Sequence, residues 1–158
     1  MTLDERAQNA RDTLFKRYDV LNALWLQAEE QLTAFHVPRP ASYAYLEYDD
    51  PDSPLAMIHE RLGLQKIRGK WRICHGLDYD VWPDREQWTP ITECSAEIRV
   101  RAVRYVQDLR KAIVDDAERF IPQVEEAIHT LATTVGLSTS TESQDVLANH
   151  AKLNGHHS

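Results

Sequence analysis

The sequence predicts an α+β fold. A long antiparallel helical hairpin, coiled-coil-like in its spacing, carries an inserted small antiparallel β-sheet and short helix, and two copies join as a dimeric four-helix bundle. Three observations carry this reading. Apolar residues recur at steps of three and four over residues 3–35 and again over 94–135, the period of a helix that buries one face. Residues 42–81 between them are rich in aromatic residues and broken by turn residues, as strands and hairpins are. The two helical stripes, with Leu24, Trp25, Leu26, Val100, Val103 and Tyr105 beyond them, exceed one seam, so a second copy is expected to cover the excess.

Each element has its own signal. Thr2 and Glu5 form a capping box, and the stripe Leu3, Ala7, Ala10, Leu14, Tyr18, Leu21, Trp25, Ala28, Leu32, Phe35 predicts a helix over 2–36, ended by Pro38 and Pro40. Aromatic alternation predicts a strand over 42–48. Ser53 before Pro54 reads as an N-cap and first helical residue, so a short helix is expected over 54–62 with Leu55, Ile58 and Leu62 on one face and Gly63 ending it. A hairpin turning at Arg68-Gly69 sets Ile67 opposite Lys70 and Leu64 opposite Ile73, and residues 77–81 read as a further strand. Thr89-Pro90 repeats the cap signal, and the stripe from Cys94 to Val135 predicts a helix over 90–135, kinked or broken at Pro122. The expected organisation is a single domain over 1–136 followed by a flexible tail over 137–158, the tail holding at most a transient helix at 145–153.

Composition excludes several classes. The chain has 158 residues and a formal net charge of −7, which speaks against a general nucleic-acid binder. No apolar run approaches the roughly 20 residues of a spanning helix, so no membrane is expected. The opening Met1 to Arg6 has no basic segment leading into an apolar one, and Cys74 and Cys94 stand 20 apart outside any metal or redox spacing. Both thiols read as reduced and buried, and the protein as cytoplasmic. Charge alternates in blocks: residues 47–60 hold five acids, 61–72 five bases, 99–111 five bases against one acid, and 115–126 five acids against one base. Pairing within the chain is the plain reading. The sharper one is that two copies laid antiparallel match the basic and acidic halves of the last helix.

Candidate sites follow from residue type. Trp71, His75, Asp78, Asp80 and Tyr45 compose an aromatic-lined pocket on the sheet that suits a flat ligand with polar handles. Arg68, Lys70 and Arg72 on the hairpin, with Arg99, Arg101 and Arg104 on the last helix, form a basic patch able to hold phosphate, Trp71 offering a stacking surface. The plainer expectation is that Trp71 is core and that the arginines pair with Asp49, Asp50 or Asp52. His59 and Glu60 fall on the expected short helix. No catalytic residue, metal site or cofactor is expected: His-x-x-x-His, His-Glu-x-x-His and EF-hand spacings are absent, Pro83-Asp84-Arg85-Glu86 lacks the lysine of a nuclease acid pair, and no phosphate-binding glycine loop is present. The function expected from these residues is a non-catalytic protein-interaction or regulatory module acting as a homodimer. The alternatives are a small-molecule-binding protein or enzyme using the aromatic pocket, and a nucleic-acid-associated factor using the basic hairpin.

Overall fold

The computed structural model describes residues 1–34 and 39–136. Helix α1 (Leu3–Thr33) opens the chain. Four strands follow as an antiparallel meander in the order β1-β2-β3-β4: β1 (Ala41–Asp50), β2 (Ser53–Ile67), β3 (Lys70–Tyr79) and β4 (Gln87–Pro90). A 3-10 turn at Ile91–Glu93 leads into α2 (Ala96–Ala102), a second at Val103–Tyr105 follows, and α3 (Val106–Thr134) closes the described chain. The chain forms two compact units, residues 1–116 and 117–158. The predicted tail and its transient helix, like the end of the first helix at residues 35–36, lie outside the described residues.

The architecture is α+β, but not a helical hairpin and not a four-helix bundle. The second half of α1 and the start of α3 pack on the sheet. One apolar core joins Trp25 and Leu32 of α1, Leu62 and Leu64 of β2, Ile73 of β3, Ile91, Ala102, and Leu109 and Ile113 of α3. Trp25, assigned from sequence to the surface that a second copy covers, is instead buried by the protein's own core, while Leu24 and Leu26 beside it stay 54% and 50% exposed.

Two elements differ from expectation for identifiable reasons. Residues 54–62 are strand, not helix, as part of β2. Leu55, Ile58 and Leu62 have helical spacing, yet Leu55 is 99% exposed. The buried side chains are those of Ala56, Ile58, Glu60, Leu62 and Leu64, which recur with period two. The charged Glu60 in its middle hides the alternation. Pro54 is tolerated because it lies in a bulged stretch, where pairing jumps from Asp49↔Met57 to Asp50↔Ser53. Asp50 accepts the N–H of Asp52 at 2.9 Å, so the Asp-Pro-Asp-Ser segment closes a hairpin turn rather than capping a helix.

The expected helix over 90–135 starts later and breaks elsewhere. Thr89 and Pro90 belong to the end of β4, the true cap is Ser95, whose hydroxyl accepts from Ile98, and the interruption lies at Val103–Tyr105. Pro122 sits inside α3 without ending it.

The hairpin between β2 and β3 has the register its two-residue turn dictates, with Ile67 opposite Lys70 and Leu64 opposite Ile73. Arg68 and Gly69 both take positive φ, 50° and 82°, as a type I′ turn demands.

Candidate functional site

Alternation along β2 and β3 assigns their polar residues to two faces of the sheet. On the helix-facing side, Glu60 shares its face with Ile58 and Leu62, and His75, paired opposite Leu62, lies beside it. A bulge in β1 between Ala44 and Leu46 leaves Tyr45 as the extra residue, and bulges re-aim side chains. Tyr45 stacks on Tyr105 with ring centroids 4.5 Å apart and planes 14° apart, and Arg101 of α2 closes the group. Glu60 Oε1 accepts from Arg101 at 2.8 Å and, with the proton on Nε2, from His75 at 3.0 Å. Both Glu60 and His75 are buried.

The electrostatics make this cluster a clasp. Burial, reinforced by the nearby Glu60 carboxylate, pushes the Tyr45 phenol up to about 12. Its hydroxyl meets no partner in hydrogen-bonding geometry, although Arg101 lies near enough to pull the value the other way. Burial of Arg101 works against its charge but is outweighed by Tyr45 and Glu60, so its pKa rises. The group thus holds a carboxylate oxygen shared by two donors and a phenol kept protonated, and it ties α2 to the sheet. Arg101 is also one wall of an open groove of about 530 Å³ between Tyr18 of α1 and Val100 and Tyr105.

The opposite face carries a second arrangement. His59, paired opposite Glu47 and Asp78, lies between two carboxylates, with Nε2 2.8 Å from Asp80 and Nδ1 3.2 Å from Glu47. The bond to Asp80 raises its pKa, against burial, and Glu47 adds to the rise. Arg61 bonds Ser42 at 2.9 Å and lies 3.8 Å from Asp78. Beside them Trp88 of β4 lies across Gly63 and Gly76, where an added Cβ would come within 2.7 Å and 2.5 Å of its ring.

The aromatic pocket expected from sequence is therefore divided. Tyr45, Trp71 and His75 face the helices, and Trp71 packs against the core. Asp78 and Asp80 belong to the other face, because residues 75 and 78 differ by an odd step along the strand. The basic patch is divided as well. Arg68, Lys70 and Arg72 line one groove of about 450 Å³ with Trp88. Arg99 and Arg101 are engaged on α2, Arg99 donating to Asn22 at 3.0 Å. Arg104 lines the groove beside Tyr18. Arg72 pairs with Glu29, not with the expected Asp49, Asp50 or Asp52, and also donates to Thr92.

Sequence reasoning missed Glu29, Glu60 and the seat of Trp88. The signal for Glu29 was available: it interrupts the apolar face of α1 by standing between Trp25 and Leu32, and a carboxylate there needs a cationic partner. The signal for Trp88 was the glycine pair, which a strand interior otherwise disfavours.

Among the described residues, no group of three or more His, Cys, Asp or Glu is placed to hold a metal ion, and no helix is long and apolar enough to cross a membrane. Compared with known families, curated proteins and solved structures, the chain matches none.

Proposed function

We propose that the protein is a non-catalytic interaction module whose working form is a pair of copies joined through the first half of α1. The observation that carries this reading is the stripe of that helix. From Leu21 to Leu32 the stripe packs into the core against the sheet, but Leu3 and Leu14 of the same stripe are 76% and 51% exposed. Every residue from 3 to 17 is exposed. An isolated helical segment of that length is marginal in water, and its apolar stripe is the part that a partner helix would cover.

The occupant that fits is a second copy. The first turn is acidic, with Asp4 and Glu5, and Lys16 and Arg17 stand at the other end of the exposed segment. A two-fold axis near Ala10 sets each acidic end against the other copy's basic end and Ala7 against Leu14, with small residues permitting close approach. The basic half of the last helix supports a dimer less well, since Arg99, Arg101 and Lys111 have partners within the chain. The non-catalytic part of the reading is supported by the clasp under α2, whose Glu60, His75 and Arg101 are committed to one another.

Sedimentation equilibrium tests this. The expected mass is twice the 18.2 kDa of one chain at about 0.1 mM, where a micromolar association is nearly complete. Leu14→Glu is expected to return the single-chain mass while the thermal unfolding of the core stays in place. A wild-type protein that remains a single chain at that concentration overturns the reading.

A further inference from the structure

The groove at the open end of β3 carries an inference independent of the dimer. β4 pairs with β3 only as far as Cys74↔Pro90. Beyond that point Arg72, Lys70 and the turn residue Arg68 line a groove of about 450 Å³ together with Trp88 and a single carboxylate, Glu93. Arg72 is held by Glu29. Arg68 and Lys70 meet no acceptor among the described residues.

Two further features mark the groove as built. Arg68 holds φ at 50°, a left-handed conformation that costs a non-glycine residue about 1–2 kcal/mol. Glycine, asparagine or aspartate would occupy the position more cheaply, so a strained backbone carries a long cation where a tight turn alone does not call for one. The second feature is Trp88. Gly63 and Gly76 clear the sheet beneath its ring, and its Nε1 donates to Glu86 at 2.8 Å. The indole is thereby fixed as a platform, with one side against the sheet and the ring contributing to the groove.

We propose that this groove binds a small anion bearing a flat ring, of the class of a nucleoside diphosphate, with Arg68 and Lys70 on the phosphates and Trp88 beneath the base. Two cations suit a diphosphate, and a fixed indole suits a stacked ring. A polymer fits worse, because Glu93 lines the groove, Glu86 holds the indole beside it, and the chain carries a net charge of −7.

Calorimetric titration of the full chain with ADP, adenosine, inorganic phosphate and a single-stranded oligonucleotide tests the proposal. Saturable ADP binding is expected, weakening as salt rises, with adenosine and phosphate each about tenfold weaker or more, because each keeps only one of the two contacts. Arg68→Gly is the decisive variant. It relieves the turn, so thermal stability is expected to hold or rise while ADP affinity falls about tenfold with the lost charge-assisted contact. A structural role for Arg68 would move the two together. The proposal is overturned by no saturable ADP binding, by an Arg68→Gly protein that binds ADP as wild type does, by phosphate binding as tightly as ADP, or by the oligonucleotide binding more tightly than ADP.

Discussion

The Glu29 carboxylate on α1 accepts the main-chain N–H of Ile73 on β3 at 2.8 Å. That N–H lies next to Cys74, where the pairing with β4 ends, so a helix side chain takes the place of a missing strand. The same carboxylate receives Arg72 Nε at 2.9 Å and 3.0 Å. Removing it strands a buried N–H and a half-buried guanidinium together. Glu29→Ala is expected to cost about 2–4 kcal/mol in chemical denaturation. Glu29→Gln, which still offers an oxygen to Ile73, should cost clearly less. Equal losses in the two variants would mean that the N–H contact contributes nothing.

Trp88 and Gly76 make a second coupled pair. An added Cβ at Gly76 comes within 2.5 Å of the indole, so Gly76→Ala is expected to destabilise by about 1–3 kcal/mol through overpacking. In a Trp88→Ala background the same change meets open space, and alanine suits a strand better than glycine. Its cost should then vanish or change sign. A double-mutant cycle with no coupling between the two sites would show that the ring does not rest on Gly76 in solution.

How much of this was legible depended on whether a single local period ruled. The capping box at Thr2 and Glu5 is present in the structure, at 2.7 Å and 3.2 Å, and the stripe through Trp25 identified the packed side of α1. The turn at Arg68-Gly69 set its hairpin register. Where two periods competed, the sequence misled: Leu55, Ile58 and Leu62 offered a helical spacing, and the buried Glu60 broke the strand alternation that was real. The sites were harder still. Glu60, His75 and Arg101 come together only through the β2–β3 register and a helix some 40 residues further on, Arg101 meeting Glu60 across a separation of 41. His75 and Asp80 are close in sequence yet belong to opposite faces.

His59 supplies a pH dependence whose sign is fixed by its neighbours. Asp80 and Glu47 hold its folded-state pKa above the ordinary 6.5. A group raised in the folded state stabilises fully below its unfolded value and loses that contribution as pH climbs through the folded one. The stability advantage of wild type over His59→Gln is therefore expected to be largest near about pH 5.5 and to shrink toward about pH 8. An advantage that grows with pH over that range would mean the two carboxylates do not face His59.

The thiols differ in access and chemistry. Burial, opposed only in part by Arg72, pushes Cys74 up to about 12, and it has no exposed surface. Cys94 is raised as well, by burial, but is only partly covered. The thiolate is the reactive form, so iodoacetamide at neutral pH is expected to label Cys94 slowly and Cys74 only on unfolding, read by mass spectrometry. Labelling of Cys74 in the folded protein at the rate of Cys94 would contradict its place in the core.

Tyr45 joins the clasp to the alkaline limit of the fold. Its phenol ionises at about 12 when folded, against an ordinary 10.0. Between those values the unfolded chain releases a proton that the folded chain retains, so stability falls as pH rises from 10. The hydroxyl meets no hydrogen-bond partner, and an unsatisfied buried polar group costs about 1–3 kcal/mol. Tyr45→Phe keeps the ring on Tyr105 and removes both liabilities. Its stability at neutral pH is expected to equal or exceed that of wild type, and the decline above pH 10 to become shallower. A Tyr45→Phe protein that is markedly less stable at neutral pH would mean that the hydroxyl holds a bond, with Arg101 as its donor, and that the clasp depends on the phenol as well as on the carboxylate of Glu60.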